Sequence, residues 1–257
     1  MHTLKFSVLN WTAWAPGVDT PEQWSAWAQG RRDIAGEARP AVEFIPALLR
    51  RRLSNLSRAA LWAAHHCAAG DSSLRTVFAS PHGEIERTTE LLADLASASP
   101  LSPNAFSLSV HNTAAGLYSI AAGNRAAATA VAAGRDTLPA AFIEAAGALA
   151  RNPAPVLLVY ADMPLPSAYA PWQDDGIFPL GLGLLLGPAA TSADLQLDYS
   201  PSAQTCSVNG GGLENDSERS PVGAVSPAPC LALLRLLAGS SAGAAQGERG
   251  HWRWSRG

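Results

Sequence analysis

The stretch from Ser107 to Arg151, SLSVHNTAAGLYSIAAGNRAAATAVAAGRDTLPAAFIEAAGALAR, constrains this chain more than any other. It reads as helix, strand, tight turn, helix. Asn112 suits an N-cap and Gly123 suits the left-handed residue that ends a helix, so the first helix is expected between them. The small apolar run 126–133 lies between Gly123 and Gly134, is too short for a helix of its own, and predicts a strand. Gly134-Arg135-Asp136 makes the corner, with Asp136 or Thr137 capping a second helix that runs through Ala150. That helix is nearly all Ala, Leu, Ile and Phe, with Glu144 its only charge before Arg151. A helix apolar nearly all round is buried on most sides. The expectation is a core strand that feeds a buried helix through a sharp corner.

Such a corner is where an α/β enzyme can hold a nucleophile. The side chain there is exposed and faces the positive end of the helix dipole, which favours a thiolate or an oxyanion. This apex offers no Cys, Ser or Lys. Arg135 stays protonated and cannot attack.

The segments HNTAAGLYSIAAG, TAVAAG and DTLPAAFIEA together resemble the centre of the N-terminal half of β-ketoacyl synthases, condensing enzymes of the thiolase fold. SVLNWTAWAPG (7–17), LLRRRLSNLSRAAL (48–61) and VFASPHGEIERTTELL (77–92) support the resemblance, which covers residues 5–190 and then thins. Within that family the chain looks most like the small ketosynthase-like proteins of aryl polyene pigment clusters, akin to chain-length factors. The resemblance implies an α/β, thiolase-like fold, mainly its N-terminal half with a shortened remnant of the second. In the family an Asn-led helix and a short strand precede a reactive Cys at the corner. Laid on Asn112, that position falls on Arg135. The family also needs a second half to bring two His residues to the Cys, and this chain is too short to supply it.

The resemblance therefore implies a non-catalytic partner of an active β-ketoacyl synthase, helping to shape the tunnel for a growing polyene. In the thiolase fold the strand before the corner lies at the dimer interface. By resemblance the partner contacts are Asn112 and Tyr118 of the helix and Ala128, Thr129, Ala130 and Val131 of the strand. Arg50, Arg51 and Arg52 stand at the front of a helical pattern running from Leu48 to Ala69. They either meet an acidic acyl carrier protein or form a solvated helix start whose Arg stems cover apolar surface.

At 257 residues and 47% hydrophobic content, the chain can bury a full core and is expected to be one domain over 1–257. Residues 191–257 read as a reduced C-terminal region with a flexible Ser/Pro/Gly-rich loop at 200–228. A net charge of −3 gives no bulk attraction for nucleic acid. Only 15% of residues are charged, which reflects either extra surface buried against another chain or an alanine-rich coding bias. Cys67, Cys206 and Cys230 are spaced for neither a disulfide framework nor a metal set. His65, His66 and Cys67 are consecutive on a helix, so they diverge and cannot share a metal. No cofactor is implied. No segment has the length for membrane insertion and no long apolar stretch opens the chain, so a cytoplasmic location is expected.

Other elements follow from pattern. Leu4–Leu9 alternates as a strand. Thr20-Pro21-Glu22-Gln23 starts a helix with a capping box, turning Trp24 and Trp27 toward the core. Residues 155–162 (PVLLVYAD) predict a strand buried on both faces. Residues 178–186 predict the next strand, whose GLGLLLG imitates a phosphate loop but opens no helix. A strand over 193–199, a helix over 230–237 and an aromatic strand over 251–256 complete the chain. Gly239-Ser240-Ser241-Ala242-Gly243 matches a nucleophile-elbow spacing but follows a helix instead of a strand. Two alternatives stay open: a stand-alone acyl hydrolase or transferase using His82 or His111, and a homodimer that binds an acyl ligand.

Overall fold

The computed structural model describes residues 2–173, 177–189, 194–201, 228–248 and 250–256. Strands β1 (His2–Trp14), β2 (Arg75–Ala79), β3 (Ala128–Val131), β4 (Val156–Asp162), β5 (Leu180–Pro188), β6 (Leu195–Pro201), β7 (Ala242–Gln246) and β8 (Gly250–Ser255) form one sheet. Its order is β3-β2-β4-β5-β1-β6-β8-β7. β2 is parallel to β3 and β4, and every other pairing is antiparallel. Helices α1 (Pro21–Ala28), α2 (Ala47–Arg50), α3 (Asn55–Ala68), α4 (Ile85–Ala96), α5 (Pro103–Ser107), α6 (Thr113–Ala122), α7 (Thr137–Arg151) and α8 (Pro229–Leu237) surround it.

Side chains alternate along β4, and that alternation builds two cores. Val156, Leu158 and Tyr160 join Leu138, Phe142 and Ala145 of α7 and Leu233 of α8. Leu157, Val159 and Ala161 join α3 and α6 on the opposite face. A strand covered on both sides has no polar face, which is why its sequence is a continuous apolar run. On β5 the leucines Leu180, Leu182, Leu184 and Leu186 fill the first core. The intervening glycines give α3 its seat: a Cβ at Gly183 would lie 2.6 Å from the Ala63 carbonyl oxygen and 2.8 Å from Cys67 Cβ. The glycine run is thus a helix-packing surface.

Several expectations change. The first strand extends to Trp14, because a bulge between Val8 and Asn10 leaves Leu9 53% exposed and resets the alternation. The pattern from Leu48 to Ala69 is two helices, since Ser54 Oγ accepts from Ser57 N at 2.9 Å and starts α3 afresh. The residues of the nucleophile-elbow spacing run into β7, where Gly243 lies against the Ala232 backbone of α8. β3 is an edge strand of four residues, not a core strand. α7 buries Leu138, Ala141, Phe142, Ala145 and Leu149 but leaves Ile143 53% exposed, so its burial is one-sided. The capping box at Thr20 and Gln23 forms as expected, and the buried Trp24 donates Nε1 to the Ala13 carbonyl at 2.8 Å. Most of the loop expected at 200–228 lies outside the described residues.

Candidate functional site at the strand-to-helix corner

Because β2, β3 and β4 are parallel, the segments that leave their C-terminal ends share one edge of the sheet, where α/β folds place their ligands. The segment leaving β3 is the corner. Gly134 adopts φ +54°, in the region glycine enters without cost, and a 3₁₀ turn over Gly134–Asp136 leads into α7. Thr137 Oγ1 donates to the Gly134 carbonyl at 2.7 Å and accepts from Ala133 N at 2.9 Å. Asp136 is buried, and its Oδ1 accepts from the Trp252 indole at 2.8 Å. Glu248 Oε1 accepts from Arg135 N at 3.1 Å. The turn between β7 and β8 therefore closes over the corner with a carboxylate at the start of α7, where the helix dipole favours one. Beside it lies a cavity of about 770 Å³ lined chiefly by Leu4, Ala140, Ile143, Leu197, Tyr199 and Trp252.

Among the described residues, no thiol lines that cavity. Burial pushes the Cys67 thiol on α3 and the Cys230 thiol on α8 up to about 12, so neither is a thiolate at neutral pH. Cys206 is outside the described residues. Among the described residues, no group of His, Cys, Asp and Glu is placed to hold a metal ion.

The turn leaving β2 ties the remaining motifs together. Ser80 Oγ accepts from Gly83 N at 2.9 Å, and His111 Nε2 donates to the Ser80 carbonyl at 2.8 Å. A Cβ at Gly83 would lie 2.8 Å from His111 Cδ2. His111 is thereby a packing residue, and His82 stands exposed in the same turn. Glu84 is buried, and its Oε1 accepts from Ser54 Oγ at 2.8 Å and Ser57 Oγ at 2.6 Å. Its other oxygen faces Arg87 Nε at 3.6 Å.

The predicted contact residues separate. Ala128 and Thr129 are exposed on β3, Ala130 and Val131 are half-buried, and Thr129 Oγ1 donates to Glu144 Oε1 at 3.3 Å. Asn112 is exposed at the N-cap of α6, without the expected side-chain cap. Tyr118 is 4% exposed and packs its ring on Phe78, which makes it a core residue of this chain and not a surface contact. Arg51 and Arg52 are exposed between α2 and α3, with Arg50 half-buried beside them. Arg58 and Arg87 donate to the Arg50 and Arg52 carbonyls at 3.3 and 3.2 Å. Sequence reasoning missed Glu248 and the Asp136–Trp252 pair. More than a hundred residues separate the partners, and no local pattern links them.

A family model described as the β-ketoacyl synthase N-terminal domain matches residues 24–255. The chain belongs to that family. The match takes in the tail as well as the segment 5–190 from residue 24 onward. The structure of the ketosynthase ApeO in complex with its chain length factor ApeC from Xenorhabdus doucetiae is similar at a TM-score of 0.79 and 26% identity, covering 98% of this chain and 100% of the matched one. The ishigamide ketosynthase/chain length factor aligns at 0.60 and 18% identity, covering 77% of this chain and 68% of that one. A β-ketoacyl synthase from Burkholderia phymatum aligns at 0.60 and 12% identity, over 79% and 66% of the two chains. The fold is thus the thiolase-like fold of ketosynthases. No curated protein matches the sequence. Among the described residues, no helix is long and apolar enough to cross a membrane.

Proposed function

We propose that this chain is a non-catalytic, chain-length-factor-like subunit that pairs with an active β-ketoacyl synthase in polyketide- or fatty-acid-type biosynthesis of the aryl polyene kind, in the cytoplasm. The corner carries the reading. A decarboxylative Claisen condensation needs a thiolate to hold the acyl chain and donors for the developing enolate. In this reading the family's Cys position is Arg135, and Glu248 already occupies the backbone donor beside it. The edge of β3 supports pairing, because an edge strand with exposed small residues is a template for another chain. Asn112, Ala128, Thr129, Ala130 and Val131 would form that contact. The solved complex of a ketosynthase with its chain length factor supplies the arrangement carried over here. Arg50, Arg51 and Arg52 would meet an acidic acyl carrier protein, and the role needs no cofactor.

The cavity beside the corner favours a second reading, a homodimer that binds an acyl ligand on its own. Co-expression with the ketosynthase encoded nearest to it, followed by size-exclusion chromatography, separates the two. A one-to-one complex is expected, with condensing activity abolished by mutating the partner's Cys and retained in Arg135→Ala. A monomer or homodimer that ignores the ketosynthase would sink the pairing reading.

A further inference from the structure

The cavity beside the corner has an apolar body and a polar end, the form of a small-molecule site. Its volume of about 770 Å³ lies within the roughly 300–1,000 Å³ that holds a small organic ligand. Leu4 and Leu197 line it from the sheet, and Ala140 and Ile143 line it from α7. Tyr199 and Trp252 add a wall of two rings with centroids 4.4 Å apart. Ile143 is 53% exposed, so that side of the cavity is open to solvent.

The polar end already holds a carboxylate. Glu248 Oε1 accepts from Arg135 N at 3.1 Å, and a Cβ at Gly134 would overlap that carboxylate, so the glycine keeps the seat clear. Helix α7 begins two residues on, and its dipole favours an anion there. Glu248 reaches the seat from the tip of the β7–β8 turn, which Gly247 N closes on the Gly250 carbonyl at 2.8 Å. The side chain is exposed, so it can give up that N–H for water without stranding a buried charge. It sits where a ligand would, on the protein's own tether.

The other charged or titratable groups at this end are Asp136, His2 and Arg135. Asp136 Oδ1 is held by the Trp252 indole. Replacing the Glu248 carboxylate with a ligand's leaves the charge of the seat unchanged, so Asp136 opposes the newcomer no more than it opposes Glu248. An ammonium would bring a donor to a donor, and an alcohol would bring a weaker acceptor.

We infer that the cavity binds an unesterified carboxylic acid with an apolar tail, its carboxylate on the Arg135 N–H, and that Glu248 is the built-in competitor which the ligand displaces. The inference rests on the acyl-ligand reading above, names the form of the acyl group, and does not depend on pairing.

Calorimetric titration of the full chain with monomeric decanoate, decanol and decylamine tests it. Decanoate is expected to bind tightest. Glu248→Ala is expected to bind decanoate about ten-fold tighter than wild type, the factor for a seat that the competitor leaves open about a tenth of the time. Glu248→Gln keeps an oxygen that accepts from Arg135 N, so its affinity should fall between the two. Decanol has no carboxylate to seat, and its affinity should shift by less than about two-fold in either variant. Ile143→Trp fills the cavity from an exposed position and should weaken decanoate and decanol alike, by about ten-fold, with the melting temperature unchanged. Where the chain must be held with a synthase, the difference made by Ile143→Trp isolates this cavity from the synthase's own.

Equal decanoate affinity in wild type and both Glu248 variants overturns the competitor and leaves the cavity an acyl site. Equal gains in Ala and Gln assign the effect to charge alone and overturn the exchange. Tighter binding of decylamine overturns the ligand class. No binding of any probe by any variant overturns this inference together with the acyl-ligand reading, and leaves pairing, read by chromatography, untouched.

Discussion

Gly183→Ala isolates the packing that joins the two sides of the sheet. The glycine is not in a left-handed conformation, so alanine brings no backbone strain and the whole effect is spatial. The new Cβ would meet Ala63 O at 2.6 Å and Cys67 Cβ at 2.8 Å, against an ordinary limit of 3.4 Å. Helix α3 must therefore retreat by about 0.8 Å, and the obstacle is its backbone, which cannot swing aside as a side chain can. The retreat also pulls on Thr12 Oγ1 to the Ala63 carbonyl (3.2 Å) and Asn10 Nδ2 to the Cys67 carbonyl (3.0 Å). The expected cost is at the upper end for overpacking, about 3 kcal/mol, or roughly 6–12 °C in Tm for a chain of this size. Urea denaturation followed by tryptophan fluorescence measures it. Cys67→Ala should give no rescue, since it retains Cβ and leaves the Ala63 carbonyl in place. A change below about 0.5 kcal/mol, or full rescue by Cys67→Ala, would refute the contact geometry.

Two further outcomes test the buried polar groups. Glu84→Ala strands two serine hydroxyls and Arg87, and should lower stability by about 2–4 kcal/mol, while Glu84→Gln keeps an acceptor and should cost less; urea midpoints of the two variants decide the order. The raised thiols make stability depend on alkaline pH. From the ordinary value of 9.0 to about 12, the unfolded chain has shed protons that the folded chain keeps at Cys67 and Cys230. Their contribution is therefore complete below pH 9 and is lost as pH rises toward 12. Urea midpoints at pH 8, 9.5 and 10.5 should fall in that order, with a flatter slope in the Cys67→Ala/Cys230→Ala variant. A rise with pH contradicts the assignment.

Much of the frame was legible because its signals are local. The capping box at Thr20 and Gln23, the two-faced apolar run of β4 and the alternating tryptophans of HWRWSR each carry their own pattern. What failed depended on partners distant in the chain. Four residues of small apolar side chains specify a strand but not whether it lies at the centre or the edge of a sheet, so β3 was misplaced. A helical pattern can continue through Ser54 even though its hydroxyl restarts the helix. Tyr118 is amphipathic in sequence, and only Phe78 opposite it decides that it faces inward. Of the site, the corner's residues were readable in advance, but Glu248 came from a turn with no local signature.

The position of β1 has a consequence for how the chain is made. Its thirteen residues lie between β5 and β6, so β1 finds its two neighbours only after residues 180–201 have emerged. At about 5–20 residues per second, the ribosome leaves that strand unpaired for roughly 10–40 seconds, with Phe6 and Trp14 uncovered. The sheet then closes around β1 in one late, long-range step, the kind that topology makes slow. A partner or chaperone that covers β1 during that interval would raise the yield of folded protein.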